Sequence, residues 1–439
     1  MRTLTDNAQH QKSRIAQPGM GKKVMTLRIL TATSALTVLL TSGCSETTVE
    51  SVARGAVPRT PNPMPLKSVP TFSTENLGRR GNFYVGGRWD GEPGKERMRG
   101  AMYVEVWVPK QIRHPYPIVF IQGAGGQSNI ALLQTPDGRP GWAYDFLNQG
   151  YTVYMMDYPG QGRSPYIPGV DGDVTPPRSG PLMSEIWTQS SAPSPEKTAP
   201  GPDGLGAPWP QFAKYSAWPS DHPKKGRMGD PVFDYFAKTE LHSAGGMGEF
   251  TVRAIVELLD LIGAPVTLLL HSGVGGQGWS VADARPKLVK GIIAAEPVSP
   301  PMENTERRAP GNYTPGRLWG VTSSPITYDP PAKEASDLRT VRQEKPDGPG
   351  LIPCWIQQEP ARKLVNLRTI PVLNVAGEAS YHRPYAHCTA KWLNQAGVKT
   401  TFVGLEEVGL FGNGHQFLSE NNSDGIAKYF MRWLDENVR

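Results

Sequence analysis

The fold of this chain is decided by the stretch Pro265-Val-Thr-Leu-Leu-Leu-His-Ser-Gly-Val-Gly-Gly-Gln-Gly-Trp279. A run of apolar, partly β-branched residues between a proline and a cluster of glycines predicts a buried strand. The strand leads directly into His271 and Ser272, and a helix can begin after Gly278. A serine at a sharp strand-to-helix turn has the layout of a nucleophile elbow, in which the turn exposes the hydroxyl and the helix N-terminus favours negative charge.

The turn departs from the Gly-x-Ser-x-Gly pattern that is usual at such an elbow, because Leu270 and Val274 occupy its glycine positions. Glycine permits close contact between strand and helix, whereas Val274 brings a β-branched side chain. Two interpretations therefore stay open at this point: an active nucleophile, or an envelope binding protein that keeps the fold without the activity.

Composition limits the classes of function. The chain has 439 residues, of which 20% are charged and 9% aromatic, which is typical of a globular protein. Residues 1–30 contain six basic side chains and one acidic side chain, so 40 basic and 39 acidic residues remain in the rest of the chain. The chain after residue 30 therefore has a net charge of about +1, without the excess of basic residues that is typical of a nucleic-acid-binding protein.

The N-terminus has the features of a secretory signal peptide. Lys22 and Lys23 precede the apolar run of residues 30–40, and small residues lead from there to Cys44. The run is short for a membrane-spanning helix. We therefore predict a signal segment over residues 1–44.

The fate of Cys44 stays open between lipidation and ordinary cleavage nearby. A lipid on Cys44 would be the only membrane attachment that the sequence indicates. Residues 45–82, rich in Pro, Thr and Ser, predict a flexible tether. We expect a protein exported from a bacterial cell, either in the periplasm, anchored to the envelope, or released.

The chain after the tether alternates strands and helices. Strands are predicted at residues 82–85, 101–109, 116–122, 151–156, 265–271, 288–295, 370–376 and 400–405, and helices at 142–150, 250–262, 389–396 and 425–436. Strand, helix and strand at this spacing form βαβ units, which predict a parallel sheet covered on both faces.

Two irregular, proline-rich insertions interrupt this alternation, at about residues 165–235 and 299–360. Loops of this length in a compact domain are more often functional than accidental, and we interpret both as lid-like. Their tryptophans indicate an apolar or aromatic group in the ligand. These are Trp187, Trp209, Trp218 and Trp319.

Cys354 and Cys388 remain once Cys44 is set aside, and two cysteines in an exported protein predict a disulfide. Two buried thiols are the alternative. His382 and His387 lie near Cys388 without an accepted metal-ligand spacing, so no metal site is predicted.

Several motifs of the chain resemble the α/β-hydrolase superfamily. They are the small-residue loop at 123–126, Asp157-x-x-Gly-x-Gly-x-Ser164, His271-Ser272 and Gly412-Asn-Gly-His415. Within the superfamily, residues 135–142, 295–297 and 377–382 resemble a branch of bacterial secreted esterases. The resemblance covers about residues 100–439. It implies a domain over residues 83–439 with a mostly parallel central sheet, helices on both faces, and a nucleophile, acid and histidine in that chain order.

Two acids compete for the third position. Most of the superfamily uses an aspartate after the seventh strand, where this chain has Ser380. Glu378 lies two positions earlier, and Glu296 ends the preceding strand, where the resembling esterase branch has its acid. The resemblance and the reach of a glutamate side chain favour Glu296, with Glu378 as the alternative.

The chemistry that this set implies is ester hydrolysis through an acyl-enzyme. Ser272 would be the nucleophile and His415 the base, while N–H groups of Gly273 and of the loop Gly123-Ala124-Gly125 would hold the oxyanion. No glycine loop has a dinucleotide or P-loop spacing, so no cofactor is predicted. We expect small-molecule ester substrates. An amidase or peptidase with the same three residues is the other enzymatic alternative, and the sequence does not indicate an oligomeric state.

Overall fold

The computed structural model of the protein describes residues 71–123, 130–188, 210–245, 247–298, 300–304 and 314–438. These residues belong to one structural unit. The predicted signal segment, including Cys44, and the tether up to residue 70 lie outside the described residues. Among the helices of the described ranges, none combines the length and apolarity needed to cross a membrane.

The described chain is built around an eight-stranded sheet. Its strands are β1 (Leu77–Asp90), β2 (Arg97–Pro109), β3 (Ile118–Ile121), β4 (Val153–Asp157), β5 (Val266–His271), β6 (Val289–Ala295), β7 (Val372–Ala376) and β8 (Thr400–Gly404). They lie in the order β1-β2-β4-β3-β5-β6-β7-β8. The pairs β1–β2 and β2–β4 are antiparallel, and every later neighbour is parallel. The carboxyl ends of β3 to β8 therefore meet at one edge.

Helices lie on both faces of this sheet and in the first insertion. They are α1 (Ile130–Leu133), α2 (Trp142–Asn148), α3 (Gly180–Met183), α4 (Pro231–Lys238), α5 (Gly248–Ile262), α6 (Ser272–Gly275), α7 (Gly278–Ala284), α8 (Ala386–Gln395) and α9 (Ser423–Asn437). Side chains alternate between the two faces of a strand. In β5, Leu268 and Leu270 accordingly pack in the core that α5, α7 and α8 share, and Leu269 packs with α2 and α9. The predicted α/β-hydrolase architecture is confirmed.

The first strand is longer than predicted. We expected residues 82–85, stopped by Gly86 and Gly87, but β1 starts at Leu77 and pairs with β2 as far as Asp90. The two glycines have φ of +65° and +81°, which lets the strand bend without ending. A Cβ on Gly86 would lie 2.7 Å from Ala254 Cβ of helix α5, so the glycine is needed for that contact. Residues 77–82, predicted as tether, belong to the sheet.

The first insertion has its own small core. Trp187 and Trp218 are buried with Phe233 and Phe236, and the indole of Trp218 donates a hydrogen bond to Asp230 at 3.0 Å. Trp319 of the second insertion is buried in the main core. These three tryptophans therefore stabilise the insertions, and our interpretation that they indicate an apolar or aromatic group in the ligand was wrong. Trp209 lies outside the described residues.

The second insertion contains short strand pairs, Glu303–Asn304 with Thr314–Pro315 and Thr340–Arg342 with Trp355–Gln357. The first insertion is closed by another pair, Val174–Thr175 with Ser243–Ala244. Cys354 of the second insertion forms a disulfide with Cys388 of helix α8, with Cα atoms 5.2 Å apart. The predicted disulfide is present, and it ties this insertion to the sheet-covering helix.

Candidate active site

Ser272 lies at the turn between β5 and α6 in a left-handed conformation, with φ of 56°. A residue other than glycine seldom adopts this conformation, and it turns the side chain out of the strand direction. Hydrogen bonds to the end of the neighbouring strand hold the turn on both sides. The N–H of Ser272 donates to the carbonyl of Glu296 at 3.1 Å, and the N–H of Val298 donates to the carbonyl of Ser272 at 3.2 Å.

The glycines that allow close contact at the elbow lie later in the chain than the usual pattern places them. A Cβ on Gly275 would lie 3.2 Å from the carbonyl carbon of Leu270, and one on Gly278 would lie 2.2 Å from Leu270 Cδ2. Val274 is buried in the main core. Close contact between strand and helix is therefore provided one and four positions after the expected glycine, and Val274 contributes packing.

Three side chains form a continuous hydrogen-bonded line at the carboxyl edge of the sheet. The Nε2 atom of His415 lies 2.9 Å from Ser272 Oγ, and its Nδ1 atom lies 2.5 Å from Glu296 Oε2. His415 and Glu296 are both fully buried. His415 follows β8 and Glu296 follows β6, so strands on the same edge bring together residues that are far apart in sequence.

The Glu296 carboxylate is enclosed by donors. The N–H of Gly377 donates to Oε1 at 2.7 Å, and the hydroxyl of Ser380 donates to Oε2 at 2.8 Å. Burial raises the pKa of Glu296 above its ordinary value, whereas these two hydrogen bonds stabilise the carboxylate and oppose the shift. Ser380 thus occupies the usual acid position after β7, and its hydroxyl donates to the glutamate that follows the neighbouring strand β6.

Glu378, the alternative acid, has other partners. Its carboxylate accepts a hydrogen bond from the N–H of Gly412 at 3.0 Å and pairs with Lys214 of the first insertion at 3.0 Å. These contacts, rather than His415, occupy Glu378. They join the loop after β7 to the loop that carries His415.

Two of the predicted oxyanion donors, Gly123 and Gly273, lie beside Ser272. A Cβ on Gly123 would lie 2.7 Å from the Cβ of Ser272 and 2.9 Å from its Oγ, so only glycine lets the backbone approach this closely. Gly273 follows the serine and lines an adjoining cavity of about 720 Å³. Ala124 and Gly125 lie outside the described residues.

Two further histidines stack on His415. The ring of His271 lies 4.8 Å from that of His415, and the ring of His382 lies 4.7 Å from it and nearly parallel. His271 Nε2 also lies 3.0 Å from the carbonyl oxygen of His415. Burial lowers the pKa of His271 to about 3, so this imidazole stays neutral at ordinary pH. His271 therefore packs against His415 as a buried, neutral ring.

Glu420 is fully buried behind the His415 loop and was not predicted from the sequence. Its carboxylate accepts hydrogen bonds from Asn413 Nδ2 at 2.8 Å and from the N–H of Gly414 at 3.1 Å. Burial raises its pKa to about 8. A glutamate between a short helical turn and a helix gives no sequence signal for burial, since charged residues at such positions are usually exposed.

The motif Asp157-x-x-Gly-x-Gly-x-Ser164 is structural. Arg163 donates to the Asp157 carboxylate from both its N–H and its Nε, at 2.9 and 2.7 Å. The hydroxyl of Ser164 bonds to the Asp157 carbonyl and accepts from the N–H of Tyr103 at 2.8 Å. These bonds join the loop after β4 to strand β2.

Two clusters of potential metal ligands occur among the described residues. The first consists of Glu296, His382 and His415, and the second of Cys354, His387 and Cys388. The first cluster contains the Glu296–His415 hydrogen bond. In the second, both sulfurs belong to the disulfide and lack the thiolate charge that binds zinc.

No protein-family model matches the chain. The chain is 41% identical over 359 residues to "Probable secreted lipase phiG" of Fungal sp. (strain ATCC 74256), covering 81% of this chain and 89% of that protein. The chain belongs to this family of secreted lipases. The solved structure of a bacterial esterase covers 83% of this chain and is itself covered to 97%, with a TM-score of 0.53 and 20% identity, which shows the shared fold.

Membership of the secreted lipase family makes the chain a carboxylic ester hydrolase of the α/β-hydrolase fold, as the sequence analysis predicted. The family also supports export of the protein. The matched lipase is fungal, so the resemblance extends beyond the bacterial branch that the motifs indicated.

Proposed function

We propose that the protein hydrolyses small-molecule carboxylic esters through an acyl-enzyme intermediate, with Ser272 as nucleophile, His415 as base and Glu296 as acid. The observation that supports this most is the line of hydrogen bonds from Ser272 Oγ through His415 to Glu296. Each distance is within the range needed for proton transfer or orientation.

In the first step, Ser272 Oγ bonds to the acyl carbon while its proton moves to His415 Nε2. Glu296 holds the Nδ1–H and stabilises the imidazolium that forms. The imidazolium then protonates the leaving alcohol as the carbon–oxygen bond of the ester breaks. Water enters, His415 takes its proton, and attack on the acyl-enzyme releases the acid and restores the Ser272 hydroxyl.

The tetrahedral oxyanion would accept hydrogen bonds from the N–H of Gly273 and from the loop that starts at Gly123. The close approach of Gly123 to Ser272 supports this role. We include Ala124 and Gly125 in the same loop as predicted donors. Removal of one such donor typically costs about 10²–10³-fold in kcat.

We also propose that residues 1–44 direct export and are followed either by lipidation of Cys44 or by ordinary cleavage nearby. The secreted relative supports export. Mass analysis of the mature N-terminus distinguishes a lipidated Cys44 from ordinary cleavage.

The test of the catalytic proposal is Ser272→Ala, with Ser336→Ala as the matched control because Ser336 is an exposed serine that bonds to Glu334. We expect Ser272→Ala to lose at least about 10³-fold in 4-nitrophenyl ester turnover and to lose labelling by a fluorophosphonate, while Ser336→Ala keeps both. Turnover that survives in Ser272→Ala, or a wild-type protein that fails to react with the fluorophosphonate, would reject the proposal.

A further inference from the structure

A cavity of about 720 Å³ adjoins the elbow, a size that suits a small organic ligand. Its wall includes Gly273, Gln277, Val298 and Arg317. Gly273 follows the proposed nucleophile, and the N–H of Val298 bonds to the carbonyl of Ser272. The cavity therefore borders the backbone of the elbow, one residue from the proposed nucleophile.

Arg317 brings a positive charge into this wall. Its Nε donates to the carbonyl of Pro300 at 3.3 Å, and its Nη2 lies 3.2 Å from Asn304 Oδ1. Both acceptors are neutral, and no carboxylate of the described residues pairs with the guanidinium. Its backbone has φ of 45°, a conformation that residues other than glycine rarely adopt and that often marks functional positions.

Two other arginines of the described ranges show the usual pairing with acids. Arg163 pairs with Asp157 and Glu105, and Arg178 pairs with Glu240. Burial without such a partner lowers the pKa of Arg317 to about 10. A desolvated guanidinium is costly unless an anion completes its hydrogen bonds.

We propose that Arg317 binds a carboxylate of the substrate, so that the enzyme prefers esters that carry a second, free carboxylate. The guanidinium would hold this group through its charge-assisted, two-pronged hydrogen bonds. This inference rests on the proposed function and specifies its substrate class. The free carboxylate belongs either to the acyl part or to the alcohol part of the ester.

The test compares charged and neutral esters of matched shape. In the first pair, mono-4-nitrophenyl adipate carries the free carboxylate on its acyl side, and 4-nitrophenyl methyl adipate is the neutral counterpart. In the second pair, 4-acetoxybenzoate carries the carboxylate on its alcohol side, and its methyl ester is the neutral counterpart. We expect one pair to show a higher kcat/KM for the charged ester. In Arg317→Gln this preference falls at least about tenfold while the neutral ester is turned over as before, and Arg317→Lys keeps part of it.

Arg253→Gln is the control for the loss of one positive charge from the cavity. Arg253 lines the same cavity but pairs with Glu249 at 2.6 Å. It should keep the preference within about twofold. Free adipate should inhibit turnover of the neutral ester by the wild type and lose this effect in Arg317→Gln. An unchanged preference in Arg317→Gln for both pairs overturns the inference, while turnover of the neutral esters tests the proposed function separately.

Discussion

Ser272 and Glu296 share an unusual backbone conformation at the ends of neighbouring strands. Their φ angles are 56° and 52°, and the N–H of Ser272 bonds to the carbonyl of Glu296. Each such angle costs roughly 1–2 kcal/mol outside glycine. The two turns together direct both side chains toward His415, so the cost in stability places the proposed nucleophile and acid around one imidazole.

The choice of acid is a prediction at this scale. Glu296→Gln keeps the shape of the side chain but removes the charge that stabilises the imidazolium, and we expect kcat to fall about 10³–10⁴-fold with little change in KM. Glu378→Gln is the matched control, since Glu378 contacts Gly412 and Lys214. We expect it to lower kcat by less than about tenfold, because it weakens a contact between two loops and leaves the charge beside His415 in place.

Steady-state kinetics on one 4-nitrophenyl ester measures both variants. The opposite ranking, with Glu378→Gln the more impaired, would mean that the acid assignment is wrong. A fluorophosphonate titration of active sites corrects each kcat for misfolded protein.

At the scale of elements, residues 210–217 of the first insertion hold two loops of the site by hydrogen bonds and an ion pair, and we call this segment the clamp. Its contacts are Gln211 Nε2 to the Ser380 carbonyl at 3.0 Å, Lys214 to Glu378 at 3.0 Å, and the N–H groups of Ser216 and Ala217 to the Gly412 carbonyl at 3.1 and 3.2 Å. The sequence predicted a lid-like insertion. This part of it fixes the two loops that carry Ser380 and His415.

Gly412 is the point where the clamp can be tested. A Cβ on Gly412 would lie 2.0 Å from Ser216 Oγ, and its φ is +73°. Gly409 has φ of +81° with open space around it, so Gly409→Ala measures the cost of the backbone conformation alone. We expect Gly409→Ala to lower the free energy of unfolding by about 1 kcal/mol with normal activity.

Gly412→Ala should lower the free energy of unfolding by about 2–4 kcal/mol and kcat by at least about tenfold, because Ser216 must move and His415 loses its support. Denaturant unfolding and ester kinetics measure the two effects. Equal behaviour of the two variants would show that the clamp does not position the site.

At the scale of the molecule, the disulfide limits how far the second insertion can separate from the sheet. Cys354 and Cys388 are buried and are 34 residues apart in sequence. Closing a loop of this length in the unfolded chain contributes about 3–4 kcal/mol to stability in the chain-entropy model. The bond therefore stabilises the fold through the unfolded state as well as through its local packing.

Replacing both cysteines, as Cys354→Ala with Cys388→Ala, should lower the free energy of unfolding by about 2–4 kcal/mol. Denaturant unfolding with and without a reductant measures this loss. The reductant should destabilise the wild type to a similar extent and leave the double variant unchanged. A wild type insensitive to reductant after unfolding and refolding would contradict the prediction.

Much of the fold follows from local patterns, because the period of apolar residues and the glycines at turns act over short distances. The sheet strands of residues 116–122, 265–271 and 288–295 were predicted to within three residues for this reason. The strand at 82–85 was predicted too short, because Gly86 and Gly87 stop a strand in most sequences. Here, contact with Ala254 on a distant helix makes glycine necessary within the strand.

The sequence by itself determined the α/β order and predicted a serine, an acid and a histidine in that chain order, because each strand and each motif is recognisable from residues near each other in the chain. Only the tertiary structure decided that Glu296 rather than Glu378 contacts His415, that Gly275 and Gly278 replace the expected elbow glycines, and that Glu420 is buried behind the histidine loop. Each of these depends on where a side chain points once distant strands are side by side. That direction is set by backbone angles and neighbours that no local pattern contains.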